Sequence, residues 1–211
     1  MVQLFLLLHL SIIIKQLEIN SKALWEPKQF DYFQAEQKNP EFVAVNPNAA
    51  FPALVDGDFT LWESNAILQY AAEKVGDTTA YPVDLKTRSD INRWLLWESS
   101  SWFGSCYIYL VENCVKPLLG DTTDSNVLAN EEENFHKLAS ILDARLANST
   151  FLCGENPTIA DVAVAAPMHL HGWAKLPLDN HSNLVRWMTE NIEKSSWWID
   201  THIGEGFTLP E

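Results

Sequence analysis

The chain has 211 residues, 47% hydrophobic and 20% charged, a composition that fits one large domain or two small ones and argues against disorder. Its 28 acidic residues face only 14 basic ones, a net charge of -14. Nucleic acids and anionic membrane surfaces select a basic footprint, so neither is an expected partner.

Residues 1–14 are rich in Leu and Ile. No positive residue precedes this run and no small-residue cleavage site follows it, so it is not read as a signal peptide. Lys15 and Glu18 end it too early for a transmembrane helix. A buried strand over Val2 to His9, followed by a helix from Ser11 to Leu24, accounts for the run better. Ser11 sits at the turn between them as a candidate N-cap. Pro27 to Tyr32 reads as a second strand, and Asn39 to Val45 as a short helix or turn introduced by Pro40.

Asn46-Pro47-Asn48 is turn chemistry. Asp56-Gly57-Asp58 separates Ala53-Leu54-Val55 from Phe59-Thr60-Leu61, which predicts a hairpin. A helix is expected from Glu63 to Val75, with Ala66, Ile67, Tyr70 and Ala71 at helical spacing. The order strand, helix, strand, hairpin, helix describes a mixed four-stranded sheet with helices on its faces.

Gly76 to Lys86 has no long period and reads as a linker. Beyond it the pattern is helical throughout. Helices are expected over Thr87 to about Asn113, Asn126 to Ala147 and Thr158 to Leu170, then near Asn183 to Glu193 and Ser196 to His202. The expected division is an α/β domain over residues 1–78 and an all-α domain over 87–211.

Several local motifs carry chemistry. Phe51-Pro52 enters the first hairpin strand, where a residue without an N–H is tolerated. Its peptide bond is open to both trans and cis forms. Glu63-Ser64 follows a strand and opens a helix, where free N–H groups and the macrodipole favour a carboxylate. The Ser64 hydroxyl can donate to such a carboxylate and Glu63 can accept from an adjacent ammonium, which suits an α-amino acid group. Plain helix capping is the alternative. Thr158-Ile159-Ala160-Asp161 is a capping box with Asp in the acceptor position. The three Cys at 106, 114 and 153 fit no zinc module and read as reduced, packed thiols. The six His show no ligand spacing, and no metal is expected.

Phe51-Pro52-Ala53-Leu54-Val55-Asp56-Gly57-Asp58 and Leu61-Trp62-Glu63-Ser64-Asn65-Ala66-Ile67-Leu68 resemble the glutathione-binding signature of glutathione transferases, nearest the theta-like and phi-like branches. Pro40-Glu41-Phe42 with Asn46-Pro47-Asn48 is similar to the segment that precedes that signature, and Thr158 to Asp161 resembles the capping box of the family's helical domain. The resemblance implies a thioredoxin-like N-terminal domain with a mixed four-stranded sheet, followed by an all-α domain, in a cytoplasmic homodimer. It implies conjugation of glutathione, as co-substrate, to a small hydrophobic electrophile. Glutathione-dependent peroxide or disulfide reduction, or a non-catalytic glutathione-binding protein of the same fold, are the alternatives.

Carried over by position, the resemblance gives Glu63 and Ser64 the γ-glutamyl end of glutathione. It gives Phe51, before a cis Pro52, a backbone pairing with the cysteinyl unit, and it gives Gln37 and Lys38 the glycine carboxylate. Ser11 is the catalytic candidate, its hydroxyl favouring the thiolate of glutathione over the thiol. Phe103 and Tyr107, one helical turn apart, would line a second-substrate pocket between the domains. The chain departs from the family pattern in the apolar residues around Ser11 and in Ala49-Ala50, where many relatives carry Gly-Lys.

Overall fold

A computed structural model describes residues 34–199. The described residues divide into two compact units, 34–77 with 195–199, and 78–194. Ser11, and the strands and helix expected before Gln34, lie outside the described residues.

In the first unit, a 3-10 turn over Glu36–Lys38 leads into α1, Pro40–Val45. Pro40 stands at the first helical position, where its missing N–H costs nothing. Next comes the expected hairpin of β1, Ala53–Asp56, and β2, Phe59–Trp62. The strands pair antiparallel, from Ala53 with Trp62 to Asp56 with Phe59. Gly57 turns the corner with φ 63°, a conformation in which a Cβ is penalised. These two strands make the described part of the sheet. Helix α2, Ser64–Val75, buries Ile67, Leu68, Ala71 and Ala72 on one face and ends on Gly76 in the left-handed conformation. Helix α9, Ser196–Ile199, buries Trp197 and Trp198.

The second unit is helical. Its longest feature is one continuous helical run that starts at α3, Leu85–Trp97. The run passes through a wide π-turn at Glu98–Trp102 into α4, Phe103–Leu110, then a second π-turn at Val111–Val115 and α5, Lys116–Leu118. Its start lies inside the expected linker because the Asp84 carboxylate accepts from the Thr87 backbone N–H at 2.9 Å and caps the helix. Near the first π-turn, the Ser99 hydroxyl donates to the Leu95 and Leu96 carbonyls and Ser100 to that of Trp97. These hydroxyls compete for the carbonyls of the helical ladder.

Helix α6, Ser125–Leu146, carries Phe135, Leu138, Leu142 and Leu146 into the core. Helix α7, Ile159–Ala165, is wholly buried. It tightens to a 3-10 turn at Ala166–Met168 rather than running on to Leu170, because Pro167 cannot extend the α ladder. Helix α8, Ser182–Arg186, widens to a π-turn over Trp187–Ile192.

Buried polar bonds pin these helices together. The Trp102 indole donates to the Val164 carbonyl at 3.0 Å. Asp143 of α6 caps α8 by accepting from the backbone N–H groups of Asn183 and Leu184. The expected capping box is formed. Asp161 accepts from the Thr158 backbone N–H, and the Thr158 hydroxyl accepts from Ala160. Asp161 also takes the Leu152 N–H at 2.8 Å and the Trp187 indole at 3.2 Å. Among the described residues no helix is long and apolar enough to cross a membrane.

Candidate functional site

The register of the hairpin decides where the motif residues fall. Ala53 pairs with Trp62, so Phe51-Pro52, entering β1, and Glu63-Ser64, leaving β2, lie at the same end of the hairpin. The loop into β1 is built on Asn46, which is buried. Its side-chain amide donates to the Ala50 carbonyl at 2.6 Å, and its side-chain oxygen accepts from the backbone N–H and side chain of Asn48, each at 3.0 Å. Ala49 sits in the left-handed region at φ 50°. The Phe51–Pro52 bond is cis. The Phe51 ring packs edge-on against Phe42 of α1 with centroids 4.9 Å apart, which fixes the side chain.

Glu63 has φ 73° and ψ 116°, a region that non-glycine residues rarely occupy. Such backbone costs on the order of 1–3 kcal/mol and persists where the surroundings hold it, often at functional sites. Its carbonyl accepts the Ile67 N–H at 3.0 Å and so starts the helical ladder of α2. No side-chain hydrogen bond caps this helix at Glu63, so capping, the alternative reading of this pair, does not describe the Glu63 side chain. The Glu63 side chain is exposed and Ser64 is half-buried. The turn thus presents a carboxylate, a hydroxyl and the positive end of a helix dipole together.

The hairpin is tied back to α2. Asp56, at the end of β1, accepts from the Tyr70 hydroxyl and pairs with the Lys74 ammonium. The Phe59 ring lies 5.2 Å from that of Tyr70. The sequence reading singled out neither Asn46 nor Asp56 as part of the site. The local signal for Asn46 is an Asn before Pro in a turn, whereas the Asp56 partners stand 14 and 18 residues away.

Gln37 and Lys38 are neighbours on the 3-10 turn but differ in exposure. Lys38 is exposed, while Gln37 is 5% exposed and its side-chain oxygen has no hydrogen-bond partner among the described residues. A buried amide oxygen without a partner is a costly arrangement. Phe103 and Tyr107 belong to the helical unit. Their rings stack with centroids 5.5 Å apart and planes 14° from parallel, and Tyr107 is 41% exposed. Trp94 and Trp102 are buried in that unit, as packing residues.

The three thiols are free, with Cys106 and Cys114 buried. Burial pushes Cys106 well above the usual thiol range, and pushes Cys114 and Cys153 up to about 12. Thiols held this way are poor nucleophiles at neutral pH. Among the described residues no group of three or more His, Cys, Asp or Glu is placed to hold a metal ion.

Comparison with known proteins bears on the same segments. Residues 15–73 match the family model for the glutathione S-transferase N-terminal domain, and residues 109–194 match that for the C-terminal domain. The chain is 29% identical to glutathione S-transferase D7 of Drosophila melanogaster over 186 residues, covering 86% of this chain and 76% of that protein. Its fold is similar to that of a glutathione S-transferase I bound with lactoylglutathione, with a TM-score of 0.81 and 25% identity over 92% of this chain and 93% of that one. It is also similar to glutathione S-transferase I from mais in complex with an atrazine glutathione conjugate, with a TM-score of 0.77 and 26% identity over 89% and 88% of the two chains. The architecture is that fold, a thioredoxin-like N-terminal domain followed by a helical one. With both halves of the family model matched in order and the signature turn built as described, the chain belongs to the glutathione transferase family and is an enzyme of that family.

Proposed function

We propose that this enzyme joins the thiolate of glutathione to the electrophilic carbon of a small apolar molecule. The observation that carries the reading is the Glu63-Ser64 turn, held at φ 73° on the N-terminus of α2 beside a cis Phe51–Pro52. The γ-glutamyl end of glutathione carries one carboxylate and one ammonium. Ser64 and the helix N-terminus receive the carboxylate, and Glu63 receives the ammonium. The Phe51 backbone pairs with the cysteinyl unit, and Gln37 and Lys38 take the glycine end. The Gln37 side-chain N–H groups donate to the glycine carboxylate, and the buried Gln37 oxygen, without a partner among the described residues, can accept from a peptide N–H of the ligand.

Ser11 donates its hydroxyl to the glutathione sulfur. A free thiol with pKa near ~8.5 is mostly protonated at neutral pH, and a hydrogen bond to the thiolate lowers that value. The thiol proton passes to solvent, the thiolate forms a C–S bond at the electrophilic carbon, and a leaving group departs with its bonding electron pair or, at a polarised double bond, the π pair moves to the far atom and takes up a proton. The nucleophile belongs to the co-substrate, in keeping with the buried, weakly acidic thiols of the protein itself. The Phe103–Tyr107 stack, in which Tyr107 is exposed, offers the apolar electrophile an aromatic face. The related structures with lactoylglutathione and with an atrazine glutathione conjugate support a glutathione-derived ligand for this fold.

In the same proposal the β1–β2 hairpin is half of a mixed four-stranded sheet, the domains run over residues 1–78 and 87–211, and the enzyme works as a cytoplasmic homodimer. The test is calorimetric titration of glutathione into the wild type and Ser64→Ala. Loss of a hydrogen bond to a charged group weakens binding by about 1–3 kcal/mol. No heat with the wild type at millimolar glutathione refutes the site. Binding without conjugation of an activated aryl halide refutes the reaction and favours a non-catalytic binding role.

A further inference from the structure

The strained Glu63 backbone needs a cause, and the nearest local one is incomplete. The Ile67 N–H on the Glu63 carbonyl fixes the helical side of the corner. The β2 ladder ends at Trp62 and fixes the strand side. Neither sets the angle between strand and helix. The buried apolar face of α2 contributes to that angle, and the polar bridge from the hairpin to the body of α2 is the Asp56 group.

Asp56 stands at the turn end of the hairpin, paired with Phe59. Tyr70 and Lys74 lie on α2, four residues apart and so on one face. The Asp56 carboxylate receives the hydroxyl of one and the ammonium of the other. The rings of Phe59 and Tyr70 close the apolar side of the same contact, and the Lys74 ammonium lies 5.6 Å from the centre of the Tyr70 ring. Both bonds converge on one carboxylate oxygen, Oδ2, so two successive turns of α2 are drawn to a single point at the turn end of the hairpin. The corner between them contains Glu63 and Ser64. The clamp lies six or more residues from both, and its hydrogen bonds run between Asp56, Tyr70 and Lys74.

We propose that Asp56 is a positioning residue for the glutathione site, acting through Tyr70 and Lys74 to hold the β2–α2 corner in the conformation that aims Glu63 and Ser64. This rests on the reading of that corner as the γ-glutamyl site. Strain at Glu63 is stable only while the clamp is closed. When it opens, the backbone relaxes and the carboxylate, hydroxyl and helix N-terminus no longer converge.

The test is a pair of double-mutant cycles read by glutathione affinity and by thermal midpoint. Tyr70→Phe keeps the ring against Phe59 and removes only the hydroxyl, and Asp56→Asn removes the charge at nearly constant shape. Each is expected to weaken glutathione binding about fivefold to tenfold, and the double variant to be no weaker than the worse single one. The second cycle pairs Tyr70→Phe with Ser64→Ala, two residues without a shared bond. The Ser64 change is expected to cost several-fold less in the Tyr70→Phe background, because the corner there no longer aims the hydroxyl. A merely structural bond lowers the midpoint, leaves affinity at the wild-type value and gives additive effects in the second cycle, and that result overturns the proposal. If the wild type fails to bind glutathione, the reading of the corner falls and the proposal with it. If the wild type binds and the clamp variants bind equally well, the proposal alone falls.

Discussion

Removing the Asp161 side chain should destabilise the helical unit more than any other single truncation of a polar group there. The carboxylate is fully buried and receives four donors: the backbone N–H groups of Leu152 and Thr158, the Thr158 hydroxyl and the Trp187 indole. Leu152 and Trp187 are themselves fully buried and Thr158 nearly so, so water does not replace the lost acceptor. In Asp161→Ala the hydroxyl can rotate to another acceptor, but the two backbone N–H groups and the indole cannot. Each buried donor left unpaired costs about 1–3 kcal/mol, so the two backbone N–H groups and the indole together cost about 3 kcal/mol or more. That is a large share of the ~5–15 kcal/mol that holds a domain folded. At about 2–4 °C per kcal/mol for a chain of this size, the midpoint drops by roughly 6–12 °C or more.

Asp161→Asn keeps one acceptor oxygen and should lose about half as much. Calorimetry or circular dichroism gives the midpoints, and hydrogen exchange shows whether the Leu152 and Thr158 amides lose protection. A midpoint for Asp161→Ala within about 3 °C of the wild type refutes the accounting. The pH dependence carries its own sign. Burial pushes the Asp161 carboxyl up from 3.8 to about 6, against the pull of its donors. A carboxyl raised on folding is protonated in the folded chain before the unfolded one, so its ionisation withdraws stability as pH rises from about 4 to about 6. The margin of the wild type over Asp161→Asn should therefore be larger at pH 4 than at pH 7.

A second group, His181, titrates with the opposite sense. His136 of α6 and His181, next to α8, share a hydrogen bond of 2.9 Å between ring nitrogens; burial and then the neighbouring His136 hold His181 below the usual range, with Asp143 pulling the other way. Stability from this group is complete above about pH 6.5 and is lost as pH falls below it, so the advantage of the wild type over His181→Gln in a thermal melt should shrink from pH 7 to pH 5. The raised thiols predict slow labelling of native protein by an aromatic disulfide at pH 8 and immediate reaction of all three Cys in guanidinium; one fast native thiol contradicts the burial argument. Ala49→Gly should raise stability by about 0.5–1 kcal/mol, the left-handed penalty at φ 50° exceeding the added chain entropy of glycine, and an unchanged denaturant midpoint would count against strain there.

What the sequence made legible follows a physical division between local and distant contacts. The Asp-Gly hairpin, the Asn-Pro-Asn turn and the Thr158 to Asp161 box act over two to four residues, and each stands where its chemistry places it. The helix starting at Leu85 was hidden by the Pro82 punctuation, although its cap, Asp84 with Thr87, is equally local. The end of α7 at Ala165 is likewise local, set by Pro167 against an Ala-Val pattern that favours continuing. The contacts that decide function are of another kind. Asp56 reads as a turn residue, Tyr70 as one more apolar position of α2, and Lys74 as a surface charge near a helix C-terminus. Their meeting depends on how the corner at Glu63 folds the helix back along the hairpin. Asp143 to Asn183 and His136 to His181 span 40 and 45 residues and show no period at all. The motif residues Glu63 and Ser64 were legible because a helix N-terminus is written locally. Their aim was not, because it is held from the later turns of α2. Loss of aim without loss of the motif is therefore the failure expected first when distant residues of the clamp are changed. Glutathione affinity should report it at a temperature where circular dichroism still shows a folded chain.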